Sequence, residues 1–188
     1  MKIIKTPLPG VVMLEPDLHG DSRGFFFETY REDTLKEAGI SECFVQDNHS
    51  RSTRGVLRGL HHQLIRPQGK LVRVARGSVF DVAVDVRTGS PTYGEWYGTT
   101  LDEENMWMLY IPPGFAHGFV VLSEIADFIY KCTDYYHPQS EQGIHWNDPD
   151  IGIAWPIADI RVSVKDSNNH NLKDQPLNLL PQYKVGAV

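Results

Sequence analysis

Two stretches of this 188-residue chain gather side chains that move protons or bind anions. They are Gly55-Val-Leu-Arg58-Gly-Leu-His61-His62-Gln63 and Ile111-Pro-Pro-Gly114-Phe-Ala-His117-Gly118. An imidazole titrates near neutrality, so it can take up and return a proton at physiological pH. Arg58 and, further on, Lys70 add fixed positive charge, which suits an anionic substrate and a developing oxyanion. Zinc or iron would need three or four N, O or S donors converging on one point. Here Gln63 offers only an amide, and no carboxylate lies between it and Lys70. Metal-free proton transfer on an anion is the chemistry these residues suit best.

Strand signals dominate the chain that must position them. Runs rich in β-branched and aromatic residues lie at Val11–Glu15 and Gly24–Tyr30. Others follow at 43–48, 56–64, 70–75, 78–87, 95–101, 106–111, 118–122 and 126–135, with Gly- and Pro-containing turns between them. The best short helix is Thr34–Gly39, with Gly39 as its stop. Many short strands and little helix predict an all-β sandwich or barrel in one domain, residues 1–188, with an irregular tail from about Asp166 wrapping it. Alternation puts Lys70, Val72 and Val74 on one face, and Asp81, Ala83 and Asp85 on one face of the next run. Arg58 and His61 have opposite parity, so strict alternation would separate them; a β-bulge at Gly59 would bring both inward.

Composition bounds the function. Apolar content of 41% and charged content of 22% are ordinary for a globular protein. The net charge of -6 argues against a dedicated nucleic-acid binder but leaves room for a small anionic ligand. Cys43 and Cys132 form no CxxC pair and read as free thiols of a reducing cytoplasm. Pro7 and Pro9 interrupt any apolar leader, and no segment reaches about 18 apolar residues, so a cytoplasmic protein without membrane contact is expected.

Pro112-x-Gly114-x-x-His117 resembles one half of a cupin signature, and the His61 stretch resembles the other half as far as its first histidine. A longer series of blocks is more specific: Asp21-x-Arg23-Gly-Phe-Phe-x-Glu28, Gln46-x-Asn48-x-Ser50, the Arg58–His61 block, Gln68-Gly-Lys70-Leu-Val-Arg73, Phe80-Asp-Val-Ala-Val-Asp85, Tyr130-Lys-Cys-Thr133 and Trp146-Asn-Asp-Pro149. In this order, from about Met1 to about Asp166, they resemble the dTDP-4-dehydrorhamnose 3,5-epimerase family. That resemblance implies a double-stranded β-helix (jelly-roll, cupin-like) homodimer without metal or other cofactor. It implies epimerisation of dTDP-4-dehydro-6-deoxy-D-glucose at C3 and C5, a step toward dTDP-L-rhamnose. It makes His61 the general base, Tyr130 the general acid, Asp166 the carboxylate that orients His61, and Lys70 the cation at the C4 oxygen. It gives Arg23, Glu28, Gln46, Asn48, Arg58, Lys70, His117, Glu141 and Lys165 to substrate binding, with Arg23–Glu28 reaching the site of a partner subunit.

Plainer roles stand beside these. His62 faces away from His61 and suits a structural place, and His19, His49, His137, His145 and His170 read as surface. Phe25–Phe27 suits dimer or core packing, and Asp81 fits a solvated outer face or a pocket carboxylate equally well. Rival functions are a one-carbon epimerase or ketoisomerase on a related dTDP-sugar, a metal-dependent cupin, and a non-catalytic sugar-binding module. The metal question has a direct check. Exhaustive chelation is expected to leave activity intact, with no stoichiometric zinc, iron or manganese in purified protein. Activity lost to chelator and restored by one of these metals would return the chain to the metal-dependent class.

Overall fold

The computed structural model describes residues 1–184. In chain order the elements are β1 (Lys2–Lys5), β2 (Val12–Glu15), β3 (His19–Asp21), β4 (Gly24–Phe26), α1 (Glu32–Glu37), β5 (Gln46–Thr53) and β6 (Leu57–Gln63). There follow β7 (Lys70–Arg76), β8 (Ser78–Asp85), β9 (Trp96–Asp102), β10 (Met108–Ile111), β11 (Phe115–Val121), β12 (Ile125–Cys132), β13 (Glu141–Gly143) and α2 (Val164–Ser167). Strands β1-β2-β10-β7-β12-β5 form a six-stranded sheet and β13-β6-β11-β8-β9 a five-stranded one. The antiparallel pairs are nested: β5 with β12, β6 with β11, β7 with β10, and β8 with β9 at the centre. Among the described residues no helix is long and apolar enough to cross a membrane.

Period-two alternation lets each sheet send one row of side chains into a shared core. Val72, Val74, Leu109, Ile111 and Phe128 of the six-stranded sheet meet Val79, Ala83, Leu101, Phe119 and Val121 of the other. Both outer faces are covered as well. Helix α1 lays Leu35, with Ile40 after it, on Leu14, Leu71, Met108 and Tyr110. Gly39, at φ +83°, ends that helix as its position suggests. On the five-stranded sheet, Ile144, Ile151, Leu172 and Leu180 cover Leu60, Val82, Val84 and Val86. The Phe80–Val82–Val84 face of β8 therefore lies under the C-terminal segments, and the Asp81–Ala83–Asp85 face is the inward one. Asp81 and Asp85 have no solvent exposure, which resolves the open reading of Asp81 in favour of the interior.

Three expectations need correction. The run expected as one strand from Gly24 to Tyr30 pairs only over Gly24–Phe26, in a hairpin with β3 that leaves Phe25 and Phe26 exposed. Two small strands cannot bury an aromatic row by themselves. The outer covering starts at Ile144, well before Asp166. His137, expected at the surface, is half-buried with its Nδ1 enclosed, and its backbone N–H donates to Gln63 Oε1 at 2.8 Å.

The decisive irregularity lies between β6 and β11. His117 faces His61 and Phe119 faces Arg58, so two steps on β11 match three on β6. This is the bulge, and it falls at Gly59–Leu60. Gly59 has φ +130°, and a Cβ there would lie 2.5 Å from Gly118 Cα and 2.8 Å from the His117 carbonyl oxygen. Gly118 is equally tight, since its Cβ would lie 2.7 Å from the Arg58 carbonyl oxygen. The bulge turns Arg58 and His61 to the same cavity. Gly59→Ala is expected to destabilise the protein by about 2 kcal/mol or more, through both backbone strain and collision. Gly89→Ala, also at positive φ but with nothing within 4 Å of the new Cβ, is the control and should cost clearly less. Thermal unfolding of the two variants checks this; equal losses would remove the strand collision from the account.

Candidate active site

Between the sheets lies a cavity of about 430 Å³, lined by His61, Lys70, His117, Tyr130, Lys165 and Asp166 among others. That size is in the range of small-ligand sites, about 300–1,000 Å³. His61 and His117 project from β6 and β11 of the five-stranded sheet; Lys70 and Tyr130 project from β7 and β12 of the six-stranded sheet. The two proton-carrying groups therefore stand on opposite walls.

The His61 side is assembled from distant chain. His61 Nε2 lies 2.6 Å from Asp166 Oδ1, so the nitrogen facing the carboxylate carries the proton and Nδ1 keeps its lone pair. Asp166 sits at the third position of α2, and its backbone N–H donates to the capping Ser163 Oγ at 3.0 Å. The approach to α2 is stitched to the start of β6: Leu57 N donates to the Arg161 carbonyl at 2.9 Å and Arg161 N to the Gly55 carbonyl at 2.8 Å. Burial alone would raise the Asp166 carboxyl. The hydrogen bond and charge of His61, with help from Ser163 and the Gly59 N–H, hold it below the usual carboxylate range. Asp166 is thus an anion beside the imidazole. Glu141 is the next carboxylate, 3.9 Å from His61 Nδ1, and it is ion-paired with Lys165 and accepts from Tyr136 Oη at 3.1 Å. Burial works against its ionisation, but Lys165 and His61 outweigh it and keep it low.

On the facing wall, burial raises the Tyr130 phenol above its ordinary value, so it stays protonated at neutral pH. Burial lowers the Lys70 ammonium, with Cys132, Glu141 and Asp81 opposing that shift. Phe128 and Phe119 stack at 4.0 Å and form an apolar part of the lining. At the rim Arg58 is exposed, its Nε donating to Ser52 Oγ at 3.0 Å, and Lys165 is exposed beside it.

Gln46 and Asn48 lie on β5 opposite Cys132 and Tyr130, next to the cavity rather than in its lining. Gln46 Nε2 donates to Asn48 Oδ1 at 3.0 Å. Arg23 and Glu28 are not brought to this cavity. Arg23 is a bidentate partner of Asp21 on the β3–β4 hairpin with 88% of its side chain exposed, and Glu28 pairs with Arg31 at 3.8 Å. Gln63 is a brace: its Oε1 accepts from His137 N at 2.8 Å, and its Nε2 donates to the Arg66 carbonyl at 2.8 Å. Among the described residues no group of three His, Cys, Asp or Glu side chains could hold a metal ion. His62 lies on the outer face, where burial pushes its imidazole down to about 4.

Three participants escaped the residue reading: Ser163 caps α2, Ser52 holds Arg58 and Tyr136 holds Glu141. Asp81, left open there, accepts from His117 Nε2 at 2.9 and 3.1 Å. The pattern Ser163-x-x-Asp166 was a usable signal, since a serine three residues before an acidic side chain marks a helix start.

The family model described as dTDP-4-dehydrorhamnose 3,5-epimerase matches residues 5–174. The dTDP-4-dehydrorhamnose 3,5-epimerase of Methanothermobacter thermautotrophicus is 52% identical, over 95% of this chain and 98% of its own. Among solved structures, the dTDP-6-deoxy-D-glucose-3,5-epimerase of Legionella pneumophila, in complex with dTDP-4-keto-L-rhamnose, superposes with a TM-score of 0.96 at 52% identity, covering 98% of this chain and 99% of that one. A 3'-monoepimerase from Streptomyces bikiniensis, in complex with dTDP-quinovose, superposes at 0.87 with 37% identity, covering 95% of this chain and 93% of that one. The matched span takes in both sheets and the Ser163–Asp166 turn that completes the histidine–carboxylate pair, and with relatives half identical along nearly their whole length this chain belongs to the dTDP-4-dehydrorhamnose 3,5-epimerase family.

Proposed function

We propose that this chain inverts C3 and C5 of dTDP-4-dehydro-6-deoxy-D-glucose to give dTDP-4-dehydro-L-rhamnose by enolate formation and reprotonation. One observation carries the reading: His61 with its carboxylate, and protonated Tyr130, face each other from opposite sheets across one cavity. Inversion next to a ketone requires a proton to leave one face of the carbon and another to arrive on the opposite face. His61 Nδ1 takes the α-proton, and Asp166 stabilises the imidazolium that forms. Charge moves to the C4 oxygen, where the Lys70 ammonium meets it. Tyr130 delivers its proton to the far face. The site resets when His61 releases a proton and the tyrosinate regains one, and the second carbon follows in the same way. Arg58, His117 and Lys165, with Gln46, Asn48 and Glu141 behind them, hold the nucleotide-sugar, the arginine fork matching phosphate oxygens.

The nested strand pairing supports reading the two sheets as a double-stranded β-helix of the cupin-like jelly-roll kind, in one domain. The two free cysteines suit a cytoplasmic enzyme. Exposed Phe25 and Phe26, with Arg23 beside them and away from their own chain's cavity, support a homodimer in which each hairpin completes the partner's site. The likeness to a 3'-monoepimerase supports a second reading, inversion at one carbon only.

Turnover in deuterated water separates these readings: deuterium is expected at both C3 and C5, and label at one carbon alone would favour the second. His61→Ala should lose roughly 10²–10⁴-fold in kcat with dTDP binding retained. Tyr130→Phe should impair inversion more than exchange of the α-proton; equal loss of both would make Tyr130 a wall of the pocket.

Assembly is checked by mixing. A heterodimer of an Arg23→Ala chain and a His61→Ala chain should recover activity, because one of its two sites is intact. No recovery in a verified heterodimer would place Arg23 at its own chain's site.

A further inference from the structure

Asp81 is a buried titratable group beside the cavity that the steps above leave unused. It has no solvent exposure, and an ionised carboxylate in such a place is costly unless paired. Among the described residues the hydrogen-bond partner of its side chain is His117 alone, whose Nε2 it meets with both oxygens, at 2.9 and 3.1 Å. The imidazole is held on its other sides too. Phe128 stacks against it at 6.0 Å with the rings 20° apart, and its strand is fixed to β6 by the Gly59–Gly118 approach. The ring can neither turn nor slide. Burial keeps His117 below its ordinary value, and the charges of Lys70 and His61 act in the same sense against that of Asp81. The ring is therefore neutral at pH 7 and carries one N–H. That N–H lies on Nε2, facing the carboxylate. Nδ1, which has no hydrogen-bond partner among the described residues, is the nitrogen left for a ligand in the cavity that His117 lines.

We propose that Asp81 is a positioning residue that makes His117 a hydrogen-bond acceptor, so the cavity recognises a hydroxyl donor on the sugar ring and selects against deoxy analogues lacking it. This gives the two histidines of the cavity different tasks from the same side-chain pattern. Asp166 prepares His61 to take a proton; Asp81 prepares His117 to receive a hydrogen bond and keep its state. A bare acceptor is a strong discriminator, because an analogue without the hydroxyl leaves a desolvated nitrogen unpaired.

The proposal rests on the nucleotide-sugar reading, and its test is separable from the test of that reading. Ring ¹⁵N NMR of histidine-labelled free protein, with His117 assigned by His117→Gln, should show a neutral Nε2–H tautomer at pH 7. Asp81→Leu, of similar volume, should give a mixture of tautomers. Calorimetry with dTDP-6-deoxy-D-glucose, which has no ketone and does not react, and with its 2-deoxy and 3-deoxy analogues should show one analogue bound at least about tenfold more weakly by the parent protein. In Asp81→Leu that preference should shrink to within about twofold. An imidazolium or an Nδ1–H tautomer in the parent protein, or a preference unchanged in Asp81→Leu, overturns the proposal. If Asp81→Leu does not fold, the parent tautomer alone decides. Failure of deuterium to enter C3 or C5 would sink the epimerase reading and leave both the tautomer and the binding measurements intact.

Discussion

The close approach of two glycines, Gly59 and Gly118, is the constraint on which the site depends. With no Cβ on either side, β6 and β11 come near enough for one strand to carry an extra residue. That residue changes the parity of everything before it on β6, so a rim cation and a proton-carrying imidazole three positions apart share one cavity. Without the bulge, Arg58 would face outward under the C-terminal covering, where an arginine has no partner. The same approach fixes His117 directly across from His61.

The electrostatics follow from that geometry in layers. The exposed cations Arg58 and Lys165 stand at the rim. Deeper in, burial and charged neighbours set the ionisable groups against each other. Asp166 and Glu141 are held as anions by partners that outweigh their burial, Tyr130 is kept protonated by burial, and Lys70 is lowered by it. A sugar entering this space meets an anionic carboxylate beside the His61 imidazole and a protonated phenol on the facing wall, a preorganised setting for proton transfer at carbon.

Much of this was legible in the residues. Period-two alternation put Lys70, Val72 and Val74 on one face, and Val72 and Val74 are core while Lys70 lines the cavity. The parity conflict between Arg58 and His61 pointed to a bulge at Gly59, because only glycine tolerates the backbone a bulge imposes. Other features could not be read this way. The Asp81 face of β8 stayed open between outer surface and pocket, since alternation gives the two faces but not which one meets the core, and here both are buried. The hairpin carrying Phe25 and Phe26 reads as a longer strand, because local propensity cannot report that its neighbours in the chain offer no sheet to join. Gln63 reads as a displaced ligand, whereas its amide holds two loop segments, at Arg66 and at Tyr135–His137, through backbone groups no local pattern reveals.

His61 and Asp166 are 105 positions apart, and the segment that bears Asp166 is joined to the start of β6 by backbone hydrogen bonds. His61 is therefore synthesised long before the carboxylate that meets it. Nested pairing compounds the delay, since β5 must wait for β12, and contacts so distant along the chain fold slowly. A growing chain that has not reached Asp166 holds His61 without the carboxylate that fixes its proton. The histidine–carboxylate pair is thus a contact of the late chain, closed by residues that lie beyond the strands of both sheets.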